Sequence, residues 1–347
     1  MARLRGGAFL APTLHEVLSA SPFDRADRAL VTDLGYGAAR RMLQLDAVLA
    51  PLLKRPDRLP AGVGDALRLG AFEILYRGTP PYAAVDAWVR IVKREAPGLA
   101  GLVNAVLRRV RPLPDDAAPA VRASLPDWLF TSIAAAVEEH AQLACEAMLD
   151  PEPLWLTAFD GAAARAALES DGASVVEHGL SPRGGPTSLR VMAPVSVDRL
   201  AAFTSGLVQP QNPASLRVAL LLNPSPGSRV LDLASGRGVK TAVLAALGAD
   251  VCAVELDPRR SADAERNLRR LGLAARHVGA DLTGPLDLPP APYVLLDAPC
   301  SGTGTPPVAS VAWSAHMALR PLGSKMATRA AAGSCVARMA CDHCATR

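Results

Sequence analysis

The sequence predicts a multidomain protein. It has an all-α helical domain over residues 1–112, a linker helix with a small α+β subdomain over 113–205, and a doubly wound α/β domain over 206–305. The α/β domain is expected to be incomplete at its C-terminal end, where an atypical tail covers 306–347. Three observations predict this. Apolar residues up to 112 recur at helical spacing. After residue 228 short apolar runs alternate with helical ones, the pattern of a parallel sheet covered by helices. After Thr305 that alternation stops.

The first helical stretch, "FDRADRALVTDLGYGAARRMLQLDAVLAPLL", has few breakers and ends near Pro56 and Pro60. "GDALRLGAFEILYRG" places Leu67, Ala71, Ile74 and Leu75 on one face, and "YAAVDAWVRIVKREAP" does so with Val85, Trp88, Val89 and Val92. "GLAGLVNAVLRRVRP" ends in Arg108, Arg109 and Arg111, cations that suit a helix C-terminus. Next, "DWLFTSIAAAVEEHAQLACEAML" predicts one helix, and "PLWLTAF", "GASVVEH" and "SLRVMA" predict short strands around a helical "AAARAALES". The alternating region then runs "SRVLDLAS", "VKTAVLAALG", "DVCAVELD", "PRRSADAERNLRRLG", "LAARHVGADL" and "PYVLLDAPC".

Composition narrows the function. Half of the 347 residues are hydrophobic and one fifth charged, which excludes a disordered chain. No apolar run reaches the roughly 20 residues needed to span a bilayer, and the N-terminus is too interrupted for a signal peptide. The six cysteines have no disulfide-framework spacing, so a reducing cytoplasm is expected. Residues 1–112 carry 17 Lys and Arg against 10 Asp and Glu, although the net charge of the whole chain is only +4. A basic module of this kind suits either a polyanionic partner or a merely solvated arginine-rich surface.

The α/β region holds the candidate site. "VLDLASGRGVKT" leaves a strand at Asp232 and enters a helix through Gly236 and Gly238, a turn that lets backbone approach a ligand. Glu255 lies 23 residues after Asp232 at the next strand end, where an acid accepts from ribose hydroxyls. Asp281 and Asp297 follow at two further strand ends. Each acid alone is more often a cap than a ligand; the four together point to an adenosyl-type cofactor on one rim of the sheet.

These residues carry a resemblance. "DAPCSGTG", "VLDLASGRGVKT", "VELD" and "FTSGLVQPQNPAS" resemble RNA cytosine-5 methyltransferases that use S-adenosylmethionine. The stretch "LVTDLGYGAARRMLQLD" and the later "GLVNAVLRRV" resemble the helical NusB-like RNA-binding domain fused to one branch of them, the ribosomal small-subunit methyltransferase B family. The resemblance covers about residues 10–305. It implies a Rossmann-like methyltransferase domain and S-adenosylmethionine as cofactor. The partner it implies is RNA, specifically small-subunit ribosomal RNA; a monomer with no metal and no membrane contact is expected. Ala234, Ser235, Gly236, Arg237, Gly238, Val239 and Lys240 would form the methionine-side loop. Glu255 would sit on the ribose, Asp281 near the adenine and Asp297 near the methyl-transfer centre. Where the family has Ala-Pro-Gly-Gly-Lys-Thr, this chain reads Ser235 to Thr241 with Arg237 and Val239 inside. Arg40, Arg41, Lys54, Arg108 and Arg109 are the candidate phosphate contacts.

Cytosine C5 attacks a sulfonium methyl only after a thiolate has added to C6, so such an enzyme needs an activated cysteine. By resemblance Cys300 takes the product-release role, while the nucleophile belongs to a later Thr-Cys-Ser run; the residues alone also allow a small turn residue at Cys300. No Thr-Cys-Ser follows Cys300. Residues 306–347 hold 11 alanines, half of the cysteines (Cys335, Cys341, Cys344) and one acid, Asp342. Their composition suggests a shifted frame or truncation after Thr305, with Cys335 lacking the apolar strand that should carry a nucleophile. "CDHC" (341–344) has no partner pair for a zinc site. Three functions remain open: RNA cytosine-5 methylation, RNA binding with a catalytically defective methyltransferase domain, and small-molecule methylation, which the basic helical domain disfavours.

Overall fold

The computed structural model describes residue 8 and residues 10–178, 185–193 and 195–298, with 335–337 as backbone alone. Among these the chain divides between Glu152 and Pro153 into two units.

The first unit is helical: α1 (Leu10–Ser19), α2 (Arg25–Arg40), α3 (Met42–Leu49), α4 (Ala61–Tyr76), α5 (Pro81–Glu95), α6 (Ala100–Leu107), α7 (Pro119–Arg122), α8 (Asp127–Val137) and α9 (Ala141–Ala147). α2 starts at Asp24, whose carboxylate accepts from the Asp27 N–H at 2.8 Å and satisfies a free donor of the first turn. Leu45, Leu67, Ala71, Val103 and Leu107 close the core with essentially no exposure. α2 crosses α4 at Gly37, where a Cβ would lie 1.9 Å from Phe72 Cζ.

Two expected continuous helices are broken. The first breaks at Arg41, whose φ of −107° and ψ of 20° leave the helical range. The reorientation lets the Gln44 amide donate to the Arg122 carbonyl at 2.5 Å and the Leu43 N–H donate to Ser124 Oγ at 3.1 Å. The second breaks at Glu138, with φ +49°. Around it Ala123, Leu125 and Cys145 bury against Leu129, Phe130 and Ile133. Residues 113–152 therefore pack with the helical unit, and 153–205 pack with the α/β unit, where one intermediate subdomain was expected.

The second unit contains two sheets. β1 (Trp155–Ala158), β2 (Val175–His178), β3 (Thr187–Val191) and β4 (Val208–Pro210) form an antiparallel sheet in the order β2-β3-β1-β4. α10 (Gly161–Ser170) buries Ala164 and Leu168 in its core, and α11 (Ala201–Thr204) precedes β4. After α12 (Pro213–Leu222) come β5 (Arg229–Leu233), α13 (Val239–Ala246), β6 (Asp250–Val254), α14 (Pro258–Arg270), β7 (Arg276–Val278) and β8 (Tyr293–Leu296). Their sheet runs β7-β6-β5-β8-β9, with β9 at Cys335–Ala337. β5, β6, β7 and β8 are parallel, and β9 is antiparallel to β8. The strand at Cys335 corrects the expectation that no strand carries that residue: its backbone pairs with β8, covering hydrogen-bonding groups that an edge strand leaves open. Strand order reverses between β6-β5 and β5-β8, and the crevice beyond the carboxyl ends of such strands is where ligands of open α/β sheets bind.

Candidate functional site

Beyond β5 the backbone turns through left-handed conformations at Ala234 (φ 60°), Gly236 (φ 60°) and Gly238 (φ 72°) before α13 begins. Three neighbouring contacts hold it. The Ser235 N–H donates to the Val254 carbonyl at 2.9 Å, the Gly236 N–H to Glu255 Oε2 at 2.8 Å, and the Gly238 N–H to the Ser235 carbonyl at 3.0 Å. A Cβ on Gly238 would lie 2.8 Å from that of Ala264, so α14 packs directly on the turn. A Cβ on Gly236 would meet nothing within 4 Å. Ala234 holds its left-handed conformation without glycine's freedom, a strain of about 1–3 kcal/mol of the kind found at ligand clamps.

This turn walls a cavity of about 750 Å³. Every predicted cofactor residue lines it except Gly238, which is buried beneath. Glu255 is buried at the end of β6; its second oxygen accepts from the Asp257 N–H at 2.9 Å. A carboxylate offers about four acceptor positions, so two remain for hydroxyl donors. Asp281 is exposed. The backbone N–H and then the hydroxyl of Thr283, at 2.9 and 2.8 Å, hold its carboxyl below the usual range. Asp297, just past β8, forms an ion pair with Lys240 from the first turn of α13. Arg237 is mostly exposed, with Nε 3.4 Å from Asp263.

Asp232 differs from the other three acids. It lies inside β5, 1% exposed, and accepts from Thr241 Oγ1 at 2.6 Å. Burial pushes its carboxyl up to about 6, against the Thr241 hydrogen bond and the charge of Lys240. It anchors the start of α13. Sequence reasoning missed Leu256, a 65%-exposed apolar side chain on the cavity wall, and Arg260, which also lines it. An apolar residue following a strand-end acid was the available signal for Leu256.

Residues 4–112 match the NusB family, and residues 219–309 match the 16S rRNA methyltransferase RsmB/F family. The ribosomal RNA small subunit methyltransferase B of Thermus thermophilus is 44% identical over 292 residues, covering 84% of this chain and 67% of the relative. The chain belongs to the ribosomal RNA small-subunit methyltransferase B family. The Escherichia coli protein of the same name is 31% identical over 294 residues, 80% of this chain and 68% of that one. The chain thus spans about two thirds of the length of these methyltransferases. The crystal structure of PH0851 shares the fold, with a TM-score of 0.63 at 20% identity over 90% of this chain and 78% of that one.

S-adenosylmethionine is the cofactor of this methyltransferase family, and the residues fit it. The space above Gly236 is open to a ligand, and Glu255 keeps free lone pairs toward a sugar. Glu255→Ala removes that acceptor and frees the Gly236 N–H. S-adenosylmethionine affinity should fall by about 1–3 kcal/mol in calorimetry; unchanged affinity would contradict this role.

The predicted release cysteine, Cys300, lies outside the described residues. Of the candidate phosphate contacts, Lys54, Arg108 and Arg109 are exposed on the helical unit. Arg108 caps α6 and donates to Asn104 Oδ1 at 3.0 Å. Arg41 is partly buried, donating to Gln44 Oε1 at 3.1 Å and lying over the Tyr76 ring at 4.3 Å. Arg40 is not on the open surface. The end of α2 turns it inward to 8% exposure, because α3 leaves in a new direction one residue later.

Proposed function

We propose that this chain transfers the methyl group of S-adenosylmethionine to carbon 5 of a cytosine in small-subunit ribosomal RNA. The observation supporting it best is the cavity at the carboxyl ends of β5, β6 and β8, with Glu255 on one side and the Lys240–Asp297 pair on the other. When bound, the cofactor supplies an electrophilic methyl group. The Glu255 carboxylate and the turn from Ala234 to Val239 hold the adenosyl and amino-acid parts. Lys240 pairs with Asp297 beside the reacting end, three residues before Cys300 in the sequence. By the family resemblance, Cys300 assists product release: after methyl transfer the C5 proton is removed and the thiolate that added to C6, which the family supplies from a later cysteine, is expelled. On the helical unit, Lys54, Arg108 and Arg109 contact phosphates without reading sequence. The protein works in this reading as a cytoplasmic monomer without metal.

A second reading has one observation in its favour. No Thr-Cys-Ser run follows Cys300 in this sequence. The chain would then bind RNA without turning over. Incubation with labelled S-adenosylmethionine and unmodified small-subunit RNA separates the two. Label in the RNA at cytosine C5 is the expected result. RNA binding with no label transferred favours the second reading, and absence of both rejects the pair.

A further inference from the structure

Outside the cofactor cavity, the helical unit contains a half-open cleft of about 350 Å³. It lies where α2 ends, between α4 and the segment at Asp150, and is lined by Arg40, Arg41, Arg77, Tyr76, Asp33 and Asp150 among others. Two of the cations have acids within reach. Arg77 Nε is 2.5 Å from Asp33 Oδ2, and Arg41 Nη2 is 3.5 Å from Asp150 Oδ1. Arg40 differs. It is 92% buried by its 8% exposure, and its Nε has no hydrogen-bond partner among the described residues. Asp33 and Asp150 act on it only through space, and neighbouring Arg41 repels it.

A buried guanidinium is normally retained with an anion in contact, because removing the charge from water uncompensated is costly. Here Arg77 pairs with both Asp33 and Glu73, and Arg41 with Asp150, while Arg40 is the buried guanidinium with no carboxylate in contact among the described residues. Guanidinium groups bind phosphate through paired N–H donors better than any other side chain does. We propose that this cavity is a phosphate subsite, in which Arg40, supported by Arg41 and Arg77, seats one backbone phosphate of the RNA. The source of that phosphate rests on the reading of the chain as an RNA-binding protein; the anion site itself does not. Its function is to fix the position of a strand at the point where α2 turns into α3. The exposed arginines further along the unit contribute attraction without position.

The test uses the full chain. Inorganic phosphate at 10 mM, compared with chloride at equal ionic strength, should raise the melting temperature of the wild type by about 2–4 °C. Arg40→Met, which keeps an apolar stem in the buried site, should lose that rise, while Arg90→Gln, on exposed α5, should keep it. Binding to a small-subunit RNA fragment should weaken about 10-fold in Arg40→Met. The slope of log affinity against log salt should fall by about 1. No phosphate-specific rise in the wild type overturns the site, and that measurement needs no variant to fold. An equal rise in wild type and Arg40→Met also overturns it. A phosphate effect lost in Arg40→Met alongside unchanged RNA affinity and slope overturns RNA as the source. A wild type that ignores RNA at low salt rejects the RNA-binding reading, while the phosphate arm still decides the cavity. Displacement of phosphate by an oligoglutamate peptide and not by RNA would assign the cavity to an acidic protein partner instead.

Discussion

Gly206→Ala is expected to destabilise the α/β unit by about 2–5 kcal/mol. Gly206 sits at φ +80°, a left-handed conformation that costs a residue with a Cβ about 1–2 kcal/mol. The space is also taken. A Cβ there would lie 2.0 Å from the carbonyl oxygen of Arg270 and 3.2 Å from Leu271 Cα, both backbone atoms at the end of α14. Backbone does not yield as a side-chain tip does, and overpacking of this kind adds about 1–3 kcal/mol. The approach is close because the two segments clamp each other. Arg270 donates to the carbonyls of Phe203 and Val208 and lies over the Phe203 ring at 4.0 Å. Pushing α14 away also loosens its contact beneath Gly238, so cofactor affinity should fall with stability. Urea unfolding followed by a probe in the α/β unit measures this. A variant within about 0.5 kcal/mol of wild type would mean that the 203–208 segment slides freely over α14.

The cofactor turn was legible in the sequence because its chemistry is local. Gly236 and Gly238 are needed by the backbone itself, and Glu255 and Asp297 each follow an apolar run that could only be a strand. What was not legible depends on residues far apart. Thr157 donates to Gln211 at 2.8 Å, Gln209 donates to Gln211 and to the Val239 carbonyl, and Asn267 donates to Gln209. This polar chain joins the antiparallel sheet to the first residue of α13, yet its members are two glutamines, an asparagine and a threonine with no pattern of their own. β4 itself ends in Pro210, a residue that argues against a strand unless the strand is at an edge, as this one is. Arg40 and Arg41 show the same limit. Helical periodicity treats them as neighbours on one surface, and only the break between α2 and α3 sends one inward. Among the four acids, position was legible and direction was not.

Asp232→Asn should remove a pH dependence of stability worth about 3 kcal/mol. The Asp232 carboxyl is driven up to about 6 chiefly by burial, with the Thr241 hydroxyl and Lys240 opposing and Asp297 adding to the rise. In the unfolded chain it returns to the ordinary value near 3.9. Between about pH 4 and pH 6 the unfolded chain has released this proton and the folded chain still holds it. The unfolded state then binds fewer protons, so stability falls as pH rises through that window. The contribution is fully present below about pH 4 and gone above about pH 6. A displacement of about 2 units corresponds to about 3 kcal/mol. Asparagine can still accept from Thr241 Oγ1 but has no proton to lose. Its amide N–H groups need new partners, which shifts the variant's stability by a constant and leaves the pH slope as the diagnostic quantity. Urea midpoints of wild type and variant at pH 4, 5, 6 and 7 measure it. The wild type should lose about 3 kcal/mol relative to the variant across that series, most of it between pH 4 and 6. Parallel curves would show that Asp232 ionises as easily folded as unfolded, and that water reaches the base of α13. The loss is tolerated in the family's reading because the ionised carboxylate, kept at neutral pH by Thr241 and Lys240, fixes the first turn of α13 under the cofactor cavity.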